Sequence, residues 1–472
     1  MQHSVQESLA ERIADDEPVG VPTDLIDGEV EGYRYFFNPR GHHGVLVFLG
    51  DALEVFECCT KVTTFAELKE ALARRIDSQR LQRIFNALEK LEMAHLSKSS
   101  SCRPSNDQRE KKRSMMVWFQ LTDVCNLSCG YCYINRKPTH MNFDLAKALV
   151  EKIRNDCASA GFDEVVVKLA GGEPTLRWIT AKSLIDWASG RFDSTPYVKF
   201  HIITNATALP TKLIDYLVAG KLSVAVSLDG VGQWHNKHRH YANGTGSFVD
   251  VNRNIETLIS RGIRPYILTT ITPDNAPGVT ELAEYCIQRE LGFRLSLLRD
   301  PAATASQLPA DNATLIRELL RCYAWIESHL PSRSLYECHR FGDIDLRTPR
   351  IRNCGIGQGG MTITSDGECC LCQYEMSDPL GNAQNTDTIS LLKNQTHYSL
   401  TENRVDRFPV CTSCGWRFVC GGGCPYLTKR HYGTFQHHSP YCDVYQAILP
   451  MLLRVHALQT IRQASPGKEV MR

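Results

Sequence analysis

The chain has 472 residues, of which 43% are hydrophobic and 22% are charged, and its formal net charge is +1. A chain of this length exceeds one ordinary hydrophobic core and predicts about three domains. The near-zero net charge gives no electrostatic footprint for nucleic acid or for an anionic membrane surface. Since no run of about 18 apolar residues occurs, we also expect no membrane span.

The first residues and the cysteine content together predict a reducing compartment. Residues 1–7 show no basic stretch followed by an apolar one, so we expect no secretory signal and a cytoplasmic location. Disulfides are rare in a reducing cytosol. The 19 cysteines are therefore interpreted chiefly as metal ligands.

The N-terminal fifth of the chain predicts a small α+β unit. Residues 1–31 are acidic and without periodicity, which predicts a mobile arm. The predicted strands are 33–38, 44–49 and 52–58, and the predicted helices are 65–76 and 78–91. Residues 32–96 should therefore form a winged-helix-like domain, which a polar linker at 97–114 separates from the rest of the chain.

From residue 115 onward, strands and helices alternate. The predicted strands are 116–121, 164–169, 197–204, 222–227, 265–271 and 293–298, with helices 143–159, 179–189, 211–219, 249–261 and 279–290 between them. This alternation predicts a parallel sheet with helices on one side. Ligands in such α/β sheets bind at the carboxyl ends of the strands, so the loops at this edge carry the candidate site.

Three cysteines, Cys125, Cys129 and Cys132, follow the first of these strands at C-x3-C-x2-C spacing. Thiolates suit iron–sulfur clusters, and a cubane takes four cysteines, one for each iron. The next cysteine, Cys157, lies far downstream, so one iron would be left open to hold a small molecule. The alternatives are a zinc knuckle or three unrelated thiols.

This cysteine spacing resembles that of the radical S-adenosylmethionine (SAM) superfamily, in which the open iron chelates the amino and carboxylate groups of SAM. The resemblance extends to Gly-Gly-Glu-Pro at 171–174, Thr-Asn at 204–205, Ser-Leu-Asp-Gly at 227–230 and an arginine before Gly-x-Gly-Ser-Phe at 244–248. It implies a partial (β/α)6 barrel over residues 115–335, with the three cysteines as the catalytic cluster ligands. The implied SAM contacts are Tyr131, Gly171, Gly172, Glu173, Asn205, Ser227, Asp229 and Arg239.

A second cysteine pattern occupies the C-terminal third of the chain. Its members are Cys354, Cys372, Cys411, Cys414, Cys420, Cys424 and Cys442. Their spacing resembles the SPASM extension of radical SAM peptide maturases, which implies two auxiliary clusters at 336–450, followed by a C-terminal helix or tail at 451–472. The implied outer ligands are Cys411, Cys414, Cys420 and Cys442, and the implied inner ligands are Cys354, Cys372 and Cys424. Cys338 is the candidate for a fourth inner ligand, and the alternative is an open inner iron.

The N-terminal unit resembles the peptide-recognition element of ribosomal peptide modification systems, which is related to the pyrroloquinoline-quinone chaperone. The sequences Tyr-Phe-Phe-Asn-Pro at 35–39 and Thr-Phe-Ala-Glu-Leu at 64–68 carry this likeness. In that family a leader peptide adds a strand to the edge of the sheet. The alternative is a winged helix with a structural or nucleic-acid-binding role.

Together the resemblances imply an enzyme that modifies a ribosomally made precursor peptide by radical chemistry. Its cofactors would be SAM and three [4Fe-4S] clusters. Its partners would be the precursor peptide, bound through the N-terminal domain, and a flavodoxin- or ferredoxin-like electron donor, with no nucleic acid and no membrane. The product would be an intrapeptide thioether or carbon–carbon crosslink.

Related functions supply the alternatives. The sulfatase maturase of the same superfamily has a catalytic aspartate after the second SPASM cysteine, where this chain has Gln373, and an amide cannot act as a carboxylate base. A peptide epimerase and the thioether maturase of quinohemoprotein amine dehydrogenase stay open. The non-enzymatic alternative is an iron–sulfur redox sensor whose N-terminal unit binds DNA, and the missing basic patch counts against it.

Overall fold

The computed structural model describes residues 13–96, 113–299 and 312–463. The N-terminal elements are β1 (Val19–Gly20), β2 (Ile26–Val30), β3 (Tyr33–Phe37), β4 (Val45–Val47), α1 (Gly50–Cys59), α2 (Phe65–Leu72), α3 (Ser78–Lys90) and β5 (His95–Leu96). Strands β2, β3 and β4 form an antiparallel sheet, while β1 pairs with β5. The N-terminal unit is thus a three-stranded sheet followed by three helices.

Part of the arm predicted at 1–31 is ordered structure, and residues 1–12 lie outside the described residues. Strand β2 forms a hairpin with β3, and the two turn residues, Glu31 and Gly32, both have positive φ. This is the geometry of a type I′ turn, which Asn-Gly or Asp-Gly usually signals. Glu-Gly gives a weaker signal, so the hairpin is hard to find in the sequence.

The strand predicted at 52–58 is wrong, because this segment lies in helix α1. Ala52, Val55, Phe56 and Cys59 are its buried residues. Their spacing of i, i+3, i+4 and i+7 is that of one helix face. Valine, phenylalanine and cysteine in a short apolar run suggest a strand, but the spacing of the buried positions requires a helix.

The central part follows the predicted alternation of strands and helices. Its elements are β6 (Ser114–Gln120), α4 (Phe143–Ser159), β7 (Glu164–Ala170), α5 (Trp178–Ala188), β8 (Tyr197–Thr204), α6 (Thr211–Val218), β9 (Ser223–Ser227), α7 (Gln233–Asn236), α8 (Phe248–Ser260), β10 (Tyr266–Ile271), α9 (Val279–Gln288) and β11 (Phe293–Leu297). Strands β6 to β11 lie side by side in chain order and are parallel. Since β6 begins at Ser114, the predicted linker shortens to 97–112, which lies outside the described residues.

The C-terminal part extends this sheet at both edges. Its elements are α10 (Ala313–Ser328), α11 (Leu335–Cys338), β12 (His339–Phe341), β13 (Gly360–Ile363), β14 (Glu368–Cys370), β15 (Gly381–Asn382), α12 (Thr388–Asn394), α13 (Arg417–Cys420), α14 (Pro425–Tyr432) and α15 (Cys442–Gln463). Over the described ranges the sheet has ten strands in the order β12-β11-β10-β9-β8-β7-β6-β13-β14-β15. Strands β12 and β13 join in parallel, and β14 and β15 continue antiparallel.

Helix α15 crosses the boundary predicted between residues 450 and 451. Pro450 lies inside the helix, although proline removes a backbone donor and usually breaks a helix. Residues on both sides of Pro450 are buried, among them Leu449 and Leu452, so packing overrides the local preference. Residues 464–472 lie outside the described residues. No helix in the described ranges has both the length and the apolar character that crossing a bilayer requires.

The N-terminal sheet shares its core with α15. Tyr35, Phe37 and Val47 belong to the same continuous hydrophobic cluster as the apolar residues of that helix. The Val45 N–H also donates a hydrogen bond of 2.8 Å to the Tyr336 hydroxyl. The unit is therefore packed onto the rest of the molecule and does not hang from it by a linker alone.

The substitution Phe37→Ala tests this shared core. Phe37 is 1% exposed, so its truncation should lower the free energy of unfolding by roughly 3–5 kcal/mol. Tyr33→Ala, on the same strand but at a position 38% exposed, is the matched control and should cost less than about 1 kcal/mol. Hydrogen–deuterium exchange should accelerate in α15 as well as in β3 for Phe37→Ala. Faster exchange confined to the N-terminal unit would contradict the shared core.

Candidate active site

The cysteine loop, residues 121–133, leaves the carboxyl end of β6 and docks against the loop that follows β7. The Gly172 N–H donates to the Thr122 carbonyl at 2.7 Å, and the Glu173 N–H donates to the Val124 carbonyl at 2.9 Å. These backbone bonds join the ends of two neighbouring strands. They fix the start of the loop that carries Cys125, Cys129 and Cys132.

Neither Gly171 nor Gly172 has room for a side chain. A Cβ on Gly171 would overlap the Thr122 carbonyl oxygen, and a Cβ on Gly172 would overlap the Val124 carbonyl. Gly171 also has a φ of +149°, in the region that favours glycine. The Gly-Gly pair is therefore required by the packing of the cysteine loop, whatever it contacts in the cavity.

Glu173 is 1% exposed and ties the loop after β7 to the loop after β8. Its carboxylate accepts hydrogen bonds from the N–H and hydroxyl of Thr175, the hydroxyl of Thr204 and the N–H of Asn205, at 2.7–3.0 Å. Burial raises the pKa of Glu173 above its usual value, and these hydrogen bonds oppose that shift. The carboxylate is thus held in one position by its donors.

Asn205 reaches the first cysteine group directly. Its Nδ2 lies 3.8 Å from Cys125 Sγ and donates to Asn126 Oδ1 at 2.9 Å. Asn126 Nδ2 in turn donates to the Thr207 hydroxyl at 2.8 Å. Asn126 and Thr207 were not predicted as site residues. Asn126 nevertheless lies within the cysteine motif, and Thr207 lies two residues after Asn205.

Asp229 was predicted to contact SAM, but it lies behind the cavity wall. It is 3% exposed and accepts hydrogen bonds from the Tyr131 hydroxyl, from Arg239 Nε at 2.7 Å and from the Thr270 N–H at 2.9 Å. Tyr131, Arg239 and Ser227 do line the cavity. Asp229 is therefore a positioning residue, which holds the other side chains in place.

The C-terminal cysteines lie in two groups. Beyond the effect of burial, Cys354 and Cys424 are close enough to Cys372 to raise the pKa of its thiol, and Cys354 also raises the pKa of Cys424. Cys411, Cys414 and Cys442 raise the pKa of Cys420 in the same way. All four outer cysteines line one small cavity of about 40 Å³.

The outer thiols can bind a metal cluster only after they lose their protons, so their pKa values matter. Burial raises the pKa of Cys411 and of Cys420 to about 12. At neutral pH such thiols keep their protons unless a metal displaces them. The four thiols around this small buried cavity would have to lose their protons to ligate a metal centre.

A single metal ion does not fit the cysteine groups. Within residues 13–96, 113–299 and 312–463, no three His, Cys, Asp or Glu side chains converge as one ion would require.

Cys338 does not join the inner group. It ends helix α11, is 4% exposed, and its Sγ faces the Arg333 carbonyl at 4.0 Å. The charge of Cys338 acts on Cys286, another buried thiol. Cys338 also lies outside the cavity wall, which includes Cys354, Cys372 and Cys424.

One cavity of about 1070 Å³ extends from the first cysteine group to the inner group. Its wall includes Cys125, Cys129, Cys132, Cys354, Cys372 and Cys424. Of the predicted SAM contacts, Tyr131, Gly171, Gly172, Glu173, Asn205, Ser227 and Arg239 also line it. This volume is at the upper end for small-molecule sites, so the cavity has room for SAM and a short peptide segment.

Side chains inside the sheet also line the cavity, and none of them was predicted as a site residue from the sequence. Trp118, Lys168 and His201 stand opposite one another on β6, β7 and β8 and point into the cavity, as does Arg294 on β11. A signal for these residues existed. Lysine, histidine and arginine stand at alternating positions of strands whose other residues are mostly apolar.

Two tyrosines bridge the two ends of the cavity. Tyr133 directly follows Cys132, and Tyr374 lies two residues after Cys372. Their ring centroids are 4.6 Å apart. The two rings therefore place an aromatic contact between the first cysteine group and the inner group.

Comparison with known proteins gives one family and several relatives. Residues 119–285 match the model of the radical SAM superfamily. An uncharacterised protein of Methanocaldococcus jannaschii is 29% identical over 169 residues, which cover 36% of this chain and 57% of that protein. A cysteine-type anaerobic sulfatase-maturating enzyme of Clostridium novyi is 22% identical over 346 residues, 68% of this chain and 91% of that enzyme. The subtilosin biosynthesis protein AlbA of Bacillus subtilis is 25% identical over 321 residues, 64% of this chain and 66% of AlbA.

The fold resembles two kinds of solved structure. Native anSMEcpe with bound AdoMet and a Cp18Cys peptide matches with a TM-score of 0.62 at 18% identity, over 74% of this chain and 99% of that chain. Streptococcus suis SuiB bound to its precursor peptide SuiA matches with a TM-score of 0.52 at 15% identity, over 89% of this chain and 98% of SuiB. Residues 113–472 make up only about three-quarters of this chain, so the likeness to SuiB extends into the N-terminal unit. Residues 119–285 therefore form a radical SAM domain, in a chain whose overall fold resembles these structures.

Proposed function

We propose that this protein is a radical SAM enzyme that modifies a ribosomally made precursor peptide and forms an intrapeptide thioether or carbon–carbon crosslink. The observation that carries the proposal is the single cavity bordered by both the first and the inner cysteine groups. A peptide segment in this cavity would lie between two redox centres.

A crosslink is a two-electron oxidation of the peptide, so two redox steps are needed. Cys125, Cys129 and Cys132 would hold a cubane, which when bound would supply the electron for reductive cleavage of SAM and thus the radical chemistry that removes a hydrogen atom from the peptide. The inner thiols border the same cavity, so they can hold an acceptor for the second electron. The outer group adjoins Val410, which is 52% exposed, and a flavodoxin- or ferredoxin-like donor can approach there.

The chain's own residues orient the bound cofactor. Glu173 is fixed by its four donors and would accept a hydrogen bond from the ammonium group of SAM. Arg239, held by Asp229, would pair with the carboxylate of SAM, since a guanidinium matches a carboxylate in shape and charge. Ser227 lines the same cavity and would lie on the side of the ribose. Tyr133 and Tyr374 close the wall between the two cysteine groups and help to exclude water.

Maturation of a sulfatase is the second candidate, and the curated relatives of the sulfatase-maturating kind favour it. Gln373 argues for the peptide-modifying alternative, because it lines the cavity directly after Cys372 and cannot act as a carboxylate base. The N-terminal unit is the second support, since the likeness to SuiB, a protein bound to a precursor peptide, includes it.

We also propose that the N-terminal unit contacts the leader part of the precursor. The edges of its sheet are β2 and β4. Each edge is already bound at one point, because the Glu29 carbonyl accepts from Arg454 and the Val45 N–H donates to Tyr336. A leader strand would pair with the backbone N–H and carbonyl groups of β2 or β4 that these two contacts do not occupy. Since deletion of residues 32–96 would also expose α15, point substitutions are the better test of this contact.

Replacing Cys125, Cys129 and Cys132 by alanine should remove about four of about twelve irons, because each of three cubanes holds about four. Formation of 5′-deoxyadenosine should stop, since the one cluster that would bind and reduce SAM is lost. Iron analysis and chromatography after anaerobic reduction are the measurements. A triple variant that still produces 5′-deoxyadenosine would refute the assignment of the SAM site.

The substitution Gly172→Ala should have nearly the same effect without removing a ligand. The added methyl group would displace the Val124 carbonyl and hence the cysteine loop. Gly130→Ala is the matched control, because this glycine lies in the same loop with nothing closer than 4.0 Å to an added Cβ. We expect loss of about four irons only in the first variant. Equal iron content in the two variants would show that the docking contact does not matter for the cluster.

Replacing Cys411 by alanine should separate SAM cleavage from product formation. The outer group lines a cavity of its own, so 5′-deoxyadenosine should still form while crosslinked peptide does not. Mass spectrometry after incubation with a candidate precursor peptide is the measurement, and a cysteine-containing sulfatase peptide is the control substrate. A normal crosslink yield from protein shown to lack the outer cluster would contradict an electron-transfer role.

A further inference from the structure

We propose that the cavity binds a carboxylate of the peptide substrate between Lys168 and Arg294, so that the modified segment carries an aspartate, a glutamate or the chain's C-terminus. This inference rests on the proposed peptide-modifying function and deepens it, because it names the chemistry of the bound segment. It starts from two cationic side chains that the proposed mechanism does not use.

Lys168 projects from β7 into the cavity without a partner. Among the described residues its ammonium group makes neither a hydrogen bond nor an ion pair, although it lies beside Trp118 and His201 in the sheet. Burial and the positive charge of Arg294 lower the pKa of Lys168. The charge of Cys354 opposes this shift, but desolvation and the neighbouring cation outweigh it.

Arg294 stands on β11 and is only partly satisfied. Its Nη2 donates to the Gly342 carbonyl at 2.8 Å, while its Nε is buried and has no partner among the described residues. The guanidinium also borders the cavity. A buried donor left without an acceptor is costly, so an oxygen supplied from outside would be bound favourably.

Two carboxylates of the cavity wall are already used. Asp343 accepts from Arg299 and from the Tyr445 hydroxyl, and Asp345 pairs with Arg350 at 2.7 Å. A ligand carboxylate would give Lys168 the hydrogen-bonded partner that these two side chains do not supply.

The position of Lys168 places its positive charge away from the end of the cavity where SAM is expected to bind. Arg239 acts on Cys129, in the first cysteine group. Lys168 instead interacts with the charge of Cys354, in the inner group. An anion bound at Lys168 would thus lie toward the inner cluster, where a peptide segment is expected.

Three rhodamine-labelled octapeptide mixtures serve as probes of the iron-loaded full-length protein. The acidic mixture contains Asp, Glu, Ala and Gly and ends in an amide. The neutral mixture replaces the acids by Asn and Gln, and a third mixture is neutral with a free C-terminus. Fluorescence polarisation should give about tenfold or tighter binding for the acidic mixture than for the neutral one, since a charged hydrogen bond contributes at least that factor. If the neutral mixture with a free C-terminus binds as tightly as the acidic mixture, the bound carboxylate is that of the peptide's C-terminus.

Substitutions then locate the preference. Lys168→Gln and Arg294→Gln should each abolish most of it, while Lys168→Arg should restore it because the charge is kept. Lys199→Gln is the matched control, since Lys199 lies on the neighbouring strand and pairs with Glu164 at 2.9 Å, outside the cavity. If Lys168→Gln or Arg294→Gln does not fold, the acidic and neutral mixtures still test the proposal on the unchanged protein.

Four results would overturn the inference. They are equal binding of the acidic and neutral mixtures, a preference that survives both substitutions, weaker SAM binding in Lys168→Gln by equilibrium dialysis, and loss of about four irons in that variant. The last two would assign the cations to SAM or to the inner cluster. Failure of the unchanged protein to form 5′-deoxyadenosine would instead refute the proposed function, and it would leave the anion preference as a separate result.

Discussion

The close backbone contact between the loop after β7 and the cysteine loop is the constraint on which the site depends. Two hydrogen bonds, at 2.7 and 2.9 Å, join these loops where no Cβ can be accommodated. Glu173 extends the contact to the loop after β8, because its oxygens bind Thr204 and Asn205. Three neighbouring strand ends are thereby held as one wall, and Cys125 is placed against that wall.

The two ends of the cavity are built in the same way. At the first cysteine group, Asp229 accepts from Arg239 and from a tyrosine hydroxyl. At the inner group, Asp343 likewise accepts from Arg299 and from a tyrosine hydroxyl. Burial raises the pKa of Cys129 and of Cys424, and the neighbouring arginine opposes that shift in each case.

This arrangement explains why each arginine is kept close to a thiol. A buried arginine without a carboxylate would be costly, and a buried carboxylate without its donors would be equally so. The aspartate therefore allows a cation to stay beside the cysteines, where it favours the ionised thiolate that a cluster needs. Among the described residues Lys168 has no such aspartate, which distinguishes it from Arg239 and Arg299.

The sequence was most informative where residues that are close together in the chain are also close together in the fold. Cysteine spacing indicated the loop and the two C-terminal groups, and alternating apolar segments indicated the parallel order of β6 to β11. It was least informative where a contact joins distant segments. The position of Asp229 behind the wall depends on Tyr131 and Thr270, which lie far from it in the chain. The distance of Cys338 from the inner group likewise depends on where α11 meets the sheet.

Local signals also failed where a short element has an uncommon sequence. The Glu31–Gly32 turn adopts a geometry that an asparagine usually signals, and α1 contains the adjacent residues Val55 and Phe56, which favour strands. In both cases the decisive information is which side chains become buried. For α1 that pattern is present in the sequence, at the positions of Ala52, Val55, Phe56 and Cys59, and outweighs the preferences of the individual residues.

Helix α15 finally relates the N-terminal unit to the chemistry. It begins at Cys442, a member of the outer group, and its apolar body shares a core with the small N-terminal sheet. Near its end Arg462 pairs with Glu31 at 3.1 Å, but such an exposed pair contributes little to stability. The apolar contact is what fixes the sheet relative to the cavity. A peptide bound on that sheet would therefore be held at a set distance from the cysteine groups, and only the part of the peptide that spans this distance could be modified.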